Sequence, residues 1–313
     1  MNNCVLLAFL YNANRLKELD YLCENISNFD IYITFGIGTK NHIANTEIKN
    51  FISKYKKRII NSDYHKNYGV DILPFLKQLD YIDEKKYPFF IKLHGKESKL
   101  GRYNHIEWGS ILWDSLIGNS SIYNQNINIL SQKHVGAIVQ PFSILDNREL
   151  NNNHKIHILC DTFNINYDKV KNTRFMAGSI FMGKTELYKY SILPHKDFLY
   201  RYLEIEYGKV DDRDYVNGTF SHAMERVFGY LVTDKNLKIH KSSMFPVYKI
   251  YNSKEKILHL HTTYNNICYI IEDFNLCGQI LEETQNTLKI EWFHLNNQKA
   301  TYKFLDNKVL IRK

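Results

Sequence analysis

Three short clusters in this 313-residue chain carry side chains that could hold an anion or move a proton. The first is Asn67-Tyr68-Gly69-Val70-Asp71, a glycine turn that runs into a carboxylate at the start of an apolar helical stripe. The second is His94-Gly95-Lys96-Glu97-Ser98, where a histidine, a lysine and a hydroxyl surround a glycine. The third is Gly218-Thr219 followed by His222, Glu225 and Arg226, which fall at i, i+3 and i+4 and so share a helix face. Glycine turns and helix N-termini offer backbone N–H groups to phosphate oxygens. A carboxylate flanked by His and Arg is suited to general-base work. Each piece also has an ordinary structural use. Gly69 fits a turn, Asp71 an N-cap, Lys96 a solvated loop charge, His94 a satisfied polar residue, and the third cluster an ion-paired helix surface.

The elements that must position these residues follow from periodicity. Residues 5–10 form a continuous apolar run of strand length, as in strands buried on both faces of a parallel sheet. Leu16, Leu19, Cys23 and Ile26 then recur at helical spacing. Strands at 31–35, 58–61 and 87–93 alternate with helical stripes at 48–55 and 72–79, the last carrying Pro74 in its first turn. This order predicts a doubly wound, mostly parallel α/β sheet with right-handed crossovers. Ligands of such sheets bind beyond the carboxyl ends of the strands, where the first two clusters fall. Further helices are expected at 108–117, 124–132 and 219–231, a buried strand at 136–140, and another apolar run at 175–182. Residues 141–166 read as a polar loop with a short helix. From about Pro246 the period becomes two, as in Leu288, Ile290, Trp292 and Ala300, Tyr302, Phe304, with turn signals at Asn296-Asn297 and Asp306-Asn307. The expected division is a sheet domain over 1–240 and a small antiparallel β-meander over 241–313.

Bulk properties exclude more than they select. The 41 Lys and Arg against 33 Asp and Glu give a net charge of +8, which suits nucleic acid, an anionic membrane or a phosphorylated ligand equally. A hydrophobic fraction of 44% is enough for a packed core and argues against a disordered chain. No apolar run reaches the roughly 18 residues of a membrane-spanning helix. Residues 4–11 lack the flanks of a secretory signal. Five cysteines without C-x-x-C spacing argue against a disulfide framework or structural zinc, so a cytoplasmic location is expected. No P-loop or G-x-G-x-x-G occurs, which disfavours an ATPase or a dinucleotide enzyme. Asp212-Arg213-Asp214 does not directly follow an apolar strand, and His259 with His261 lacks further ligands, so no metal site is assigned.

The string Asn67-Tyr68-Gly69-Val70-Asp71-Ile72-Leu73-Pro74-Phe75-Leu76 resembles the N-x-G-x-D-x-x-P-F-L block of the rhamnan synthesis protein F family. Phe90-Ile91-Lys92-Leu93-His94-Gly95-Lys96-Glu97-Ser98 is similar to that family's K-x-H-T-K-K-S block, with Gly95 in place of Thr and Glu97 in place of Lys. The likeness continues through Trp108, Met176-Ala177-Gly178-Ser179-Ile180-Phe181, and Gly218-Thr219 with His222-Ala223-Met224-Glu225-Arg226. The resemblance implies a bacterial glycosyltransferase of GT-A-like fold. It would move rhamnose or a similar sugar, with inversion, from a nucleotide-diphospho-sugar to a growing surface glycan, lipid-linked or free. The implied donor-binding residues are Asn67, Gly69, Asp71, His94, Lys96, Ser98 and Arg226. His94 and Lys96, with amides near Gly69, would offset diphosphate charge without a metal; Mn²⁺ and Mg²⁺ stay open. Glu225 is the first choice of base and Asp71 the second, with His222 beside Glu225. No cofactor and no nucleic-acid partner are expected. Lys54, Lys56, Lys57 and Arg58 would form a solvated basic surface able to rest on the inner membrane. The alternative is a non-catalytic glycan- or nucleic-acid-binding module using strings such as Tyr302-Lys303-Phe304.

Overall fold

The computed structural model describes residues 2–37, 43–66, 68–95, 105–146, 153–206, 218–242, 248–251, 257–262, 267–270, 277–284, 287–292, 298–306 and 309–312. The chain opens with β1 (Cys4–Leu10), α1 (Ala13–Asn25), β2 (Asp30–Ile37), α2 (Asn45–Lys54), β3 (Ile59–Lys66), α3 (Ile72–Tyr81) and β4 (Phe89–His94). There follow α4 (His105–Ile117), α5 (Ser120–Leu130), β5 (Val135–Val139), β6 (Ile144–Asp146), α6 (Asn153–Thr162), α7 (Tyr167–Val170), β7 (Arg174–Met176) and β8 (Phe181–Lys184). Next come α8 (Thr185–Ile192), α9 (Lys196–Leu203), α10 (Phe220–Asp234) and β9 (Lys238–Lys241). The last strands are β10 (Tyr248–Tyr251), β11 (Ile257–Thr262), β12 (Ile267–Ile270), β13 (Cys277–Glu283), β14 (Thr287–Trp292), β15 (Gln298–Asp306) and β16 (Val309–Arg312).

Seven strands form one sheet in the order β3-β2-β1-β4-β8-β5-β9. β8 is antiparallel to both neighbours and every other pairing is parallel, so the doubly wound sheet expected from the alternating periods is present. β1 lies between β2 and β4, so the winding reverses there and the chain diverges beyond their carboxyl ends. Such a switch point opens a crevice. β1 is buried along its whole length, which explains its unbroken apolar run. Asn12 starts α1 by accepting from the N–H groups of Asn14 and Arg15. The buried Gln78 of α3 donates to Ala8 O at 2.8 Å and to Thr34 Oγ1 at 2.9 Å, tying that helix to β1 and β2. Phe75, Phe90, Phe181, Tyr188 and Phe228 bring α3, β4, β8, α8 and α10 into one aromatic core, with ring centroids 5.3–6.2 Å apart. Gly183 is needed there, because a Cβ would lie 2.7 Å from the Phe90 ring and 2.8 Å from that of Tyr188.

Several expectations change. The apolar run at 175–182 divides between two strands: β7 pairs with β6 in a separate two-stranded antiparallel sheet, and β8 enters the main sheet. α8 and α9 follow β8 without having been read from periodicity. The C-terminal strands are antiparallel neighbours, but β10 also pairs in parallel with β16, closing them into a barrel. Closure removes the unpaired edges that an open meander would expose. Leu260, Leu288, Ile290, Trp292, Ala300 and Tyr302 are buried in this part, and the Trp292 indole donates to the Tyr302 hydroxyl at 2.8 Å. The chain divides into Met1–Gly95 with Tyr123–Ser242, and Lys96–Ile122 with Ser243–Lys313. α4 thus goes with the barrel, lying against β12, rather than with a contiguous domain over 1–240.

In the run 54–58, Lys56 and Lys57 are exposed, while Lys54 and Arg58 have partners. Lys54 pairs with Asp20 and Glu24, and Arg58 donates to Phe29 O and Cys23 O while stacking 4.7 Å from the Phe29 ring. Among the described residues, no helix is long and apolar enough to cross a membrane. Replacing Gln78 by Leu should lower unfolding free energy by about 1–3 kcal/mol, because buried polar partners lose their donor. Urea titration with an unchanged far-UV spectrum would measure this, and an unmoved midpoint would show that Gln78 does not fasten α3.

Candidate functional site

Phe90, Lys92 and His94 alternate onto one face of β4, the face covered by Phe75 of α3. Lys92 is 1% exposed, and a buried ammonium requires an anion and further acceptors. It donates to the Asp71 carboxylate and, at 2.7 Å, to Ser179 O, with the Phe75 ring 5.3 Å away. Asp71 was expected to cap α3. Its backbone is instead helical, φ −96° and ψ −7°, and its side chain makes no capping bond. Asp71 Oδ2 turns inward to accept from Lys92 and from the Ser179 hydroxyl at 2.7 Å, with His94 Nε2 at 3.8 Å. Burial opposes ionisation of Asp71, but the charges of His94 and Lys92 and the hydrogen bonds from Lys92 and Ser179 outweigh it. The carboxyl is held far below the ordinary carboxylate range. Oδ2 of Asp71 is thus engaged by Lys92 and Ser179 inside the fold.

Between β7 and β8 the backbone passes through two left-handed residues, Gly178 at φ 88° and Ser179 at φ 44°. Gly178 O lies 3.0 Å from His94 Nε2, and Gly178 N–H donates to Oε1 of the half-buried Glu225 on α10. Among the described residues Oε2 of Glu225 has no partner. Thr219 caps α10, accepting from His222 N at 3.1 Å, and its hydroxyl lies 2.8 Å from His222 Nδ1. Glu206 supplies a second cap, accepting from the N–H groups of Phe220 and Ser221 and from the Ser221 hydroxyl. The positive end of α10 therefore already holds a carboxylate of the chain itself. Arg226 is 7% exposed, donates to His222 O at 2.7 Å and stacks 4.8 Å from the Phe175 ring. Burial lowers its pKa, its Nε has no hydrogen bond, and no described carboxylate lies within ion-pair distance. The third cluster is thus not a self-paired helix face: Glu225 points to the turn and Arg226 to an aromatic ring.

The structure brings Asp71, His94 and Glu225 to the Gly178–Ser179 turn beside the switch point, with His222 and Arg226 on the same helix as Glu225. Gly69 stands apart in role. Its φ is +60°, its N–H donates to Glu206 O at 2.8 Å, and a Cβ would lie 2.8 Å from Leu73 and 2.9 Å from Leu203. The amide once assigned to a phosphate is spent inside the fold, so Gly69 is a packing position. Asn67, Lys96 and Ser98 lie outside the described residues, as do Asp212 and Asp214. Among the described residues no three His, Cys, Asp or Glu side chains converge as metal ligands would. Lys92 and Ser179, both within the blocks that carry the family resemblance, complete the site. The available signal was the Gly-Ser pair that interrupts an apolar run.

Because the folded-state pKa of Asp71 lies below its unfolded value, the unfolded chain takes up this proton first as pH falls. The stabilisation is therefore full above the ordinary carboxylate pKa of roughly 4 and is lost on acidification through the depressed value. Asp71→Asn should cost about 3–5 kcal/mol at neutral pH by leaving Lys92 buried without its counter-ion. It should also flatten the loss of stability below about pH 4. Denaturant titrations of both proteins across pH would check this, and parallel acid limbs would count against the ionised pair.

Residues 2–237 match the model of the rhamnan synthesis protein F family, from just before β1 to the residue before β9. No curated protein matches the chain. The match spans the whole of the sheet and the site except β9, and the chain belongs to the rhamnan synthesis protein F family.

Proposed function

We propose that this protein is an inverting glycosyltransferase that moves rhamnose or a similar sugar from a nucleotide-diphospho-sugar onto a growing surface polysaccharide. The family's role in rhamnan synthesis supports a sugar donor and a glycan acceptor. The observation that carries the proposal is the single turn that bonds both an imidazole and a carboxylate beside the switch point of the sheet. In this reaction the acceptor hydroxyl gives its proton to Glu225 through Oε2 as its oxygen attacks the anomeric carbon. The bond from that carbon to the diphosphate breaks, and the leaving group departs with the electron pair. Negative charge grows on the diphosphate as this bond breaks, and cations placed in advance lower the barrier most. His94 and Arg226 serve here, with Lys96, two residues after His94 in the sequence and outside the described residues, as a further candidate. Lys92 is already neutralised by Asp71 and holds the wall rather than the leaving group. His222 orients the helix face through Thr219 and Arg226. The donor is bound at the cytoplasmic face of the membrane, where nucleotide sugars and a lipid-linked acceptor meet.

Thermal-shift and hydrolysis assays across UDP-, dTDP- and GDP-sugars, with and without Mn²⁺, test donor binding directly. Glu225→Gln should lose at least roughly 10²-fold in turnover while melting like the parent, and wild-type turnover would remove Glu225 as the base. Transfer should persist in excess EDTA. Abolition by EDTA with rescue by Mn²⁺ would give the leaving-group role to a metal ion instead.

A further inference from the structure

Two consecutive residues between β7 and β8 hold four ionisable side chains that come from three separate parts of the chain. Gly178 donates its N–H to Glu225 of α10 and receives at its carbonyl the His94 ring of β4, 3.0 Å away. Ser179 donates its hydroxyl to Asp71, before α3, at 2.7 Å and accepts at its carbonyl from Lys92 of β4, also at 2.7 Å. Among the described residues Glu225 makes no direct bond to His94, Lys92 or Asp71. Each partner sits on a rigid element, so the turn is where their placements meet. Its backbone is left-handed at both residues, and Ser179 carries a Cβ there. A side-chain-bearing residue keeps such a conformation only where its surroundings over-determine it, and this occurs most at functional sites. Here the over-determination is the four hydrogen bonds themselves.

We propose that the Gly178–Ser179 turn is the positioning element of this site, holding the Glu225 carboxylate by its amide and the His94 ring by its carbonyl so that a shift in one is transmitted to the other. Neither residue touches the substrate; both act through the side chains they hold. The activity arm of the test rests on the transferase assignment, and the spectroscopic arm does not.

Ala177-Gly178 is the one Ala-Gly pair in the sequence. Full-length protein labelled with alanine-carbonyl ¹³C and glycine ¹⁵N therefore identifies the Gly178 amide without any substitution. Glu225→Gln should move that amide signal and also the ring signals of His94, assigned through His94→Gln. Ser179→Gly tolerates the left-handed backbone and removes the CH2OH side chain with its bond to Asp71, so it should stay folded while shifting the Gly178 amide. With dTDP-rhamnose as probe, Ser179→Gly should lower kcat at least roughly tenfold with KM within about threefold, the signature of misplacement rather than lost binding. A purely structural role would lower Tm and leave kcat per folded molecule intact. His94 ring signals indifferent to Glu225→Gln, or wild-type kcat in Ser179→Gly, would overturn the proposal. Coupled spectra in a protein that turns over no nucleotide sugar would uphold the turn and remove the transferase assignment instead.

Discussion

A lysine ammonium buried to 1% exposure in the middle of a sheet dictates much of what surrounds it. Lys92 cannot keep its charge there without an anion and a second acceptor, because the desolvation penalty for an unpaired ion is several kcal/mol at least. Asp71 supplies the anion from the residue before α3, and Ser179 supplies the acceptor from the turn before β8. One ammonium thus joins the residue before a helix to a strand and to the turn between β7 and β8. The break of the apolar stretch into β7 and β8 is part of the same requirement, since a continuous strand would not present Ser179 O and Oγ together.

That ion pair also decides which side chains are left for chemistry. Lys92 and Asp71 are satisfied by each other inside the fold. Glu225, half-buried and bonded by one oxygen, keeps the other available. Arg226 makes no ion pair with a described carboxylate, although the neighbouring Glu225 favours its charge. The N-terminus of α10 is filled by Glu206, and the glycine before α3 is held by packing against Leu73 and Leu203.

The C-terminal strands solve a different problem. Seven strands in an open antiparallel array would leave two unpaired edges, and the parallel pairing of β10 with β16 removes both. The alternation that marked Leu288, Ile290 and Trp292 holds as burial, since these residues lie inside while their neighbours are partly exposed. Nothing in that alternation specified closure.

Periodicity by itself determined the order of strands and helices through β4, the helix around Glu225 and the β-rich end of the chain. Each of these is written in which face must leave water, and that is a local property. Residue type and position also marked Asp71, His94 and Glu225 as chemically capable. What they do with that capability was decided by partners far away in the chain. Ser179 lies 108 residues from Asp71 and 87 from Lys92, and Gly178 lies 84 from His94 and 47 from Glu225. An aspartate before a helix can cap it or turn inward, and the two outcomes have the same local sequence. Only the tertiary structure chose, because the buried ammonium of Lys92 made turning inward the favourable outcome.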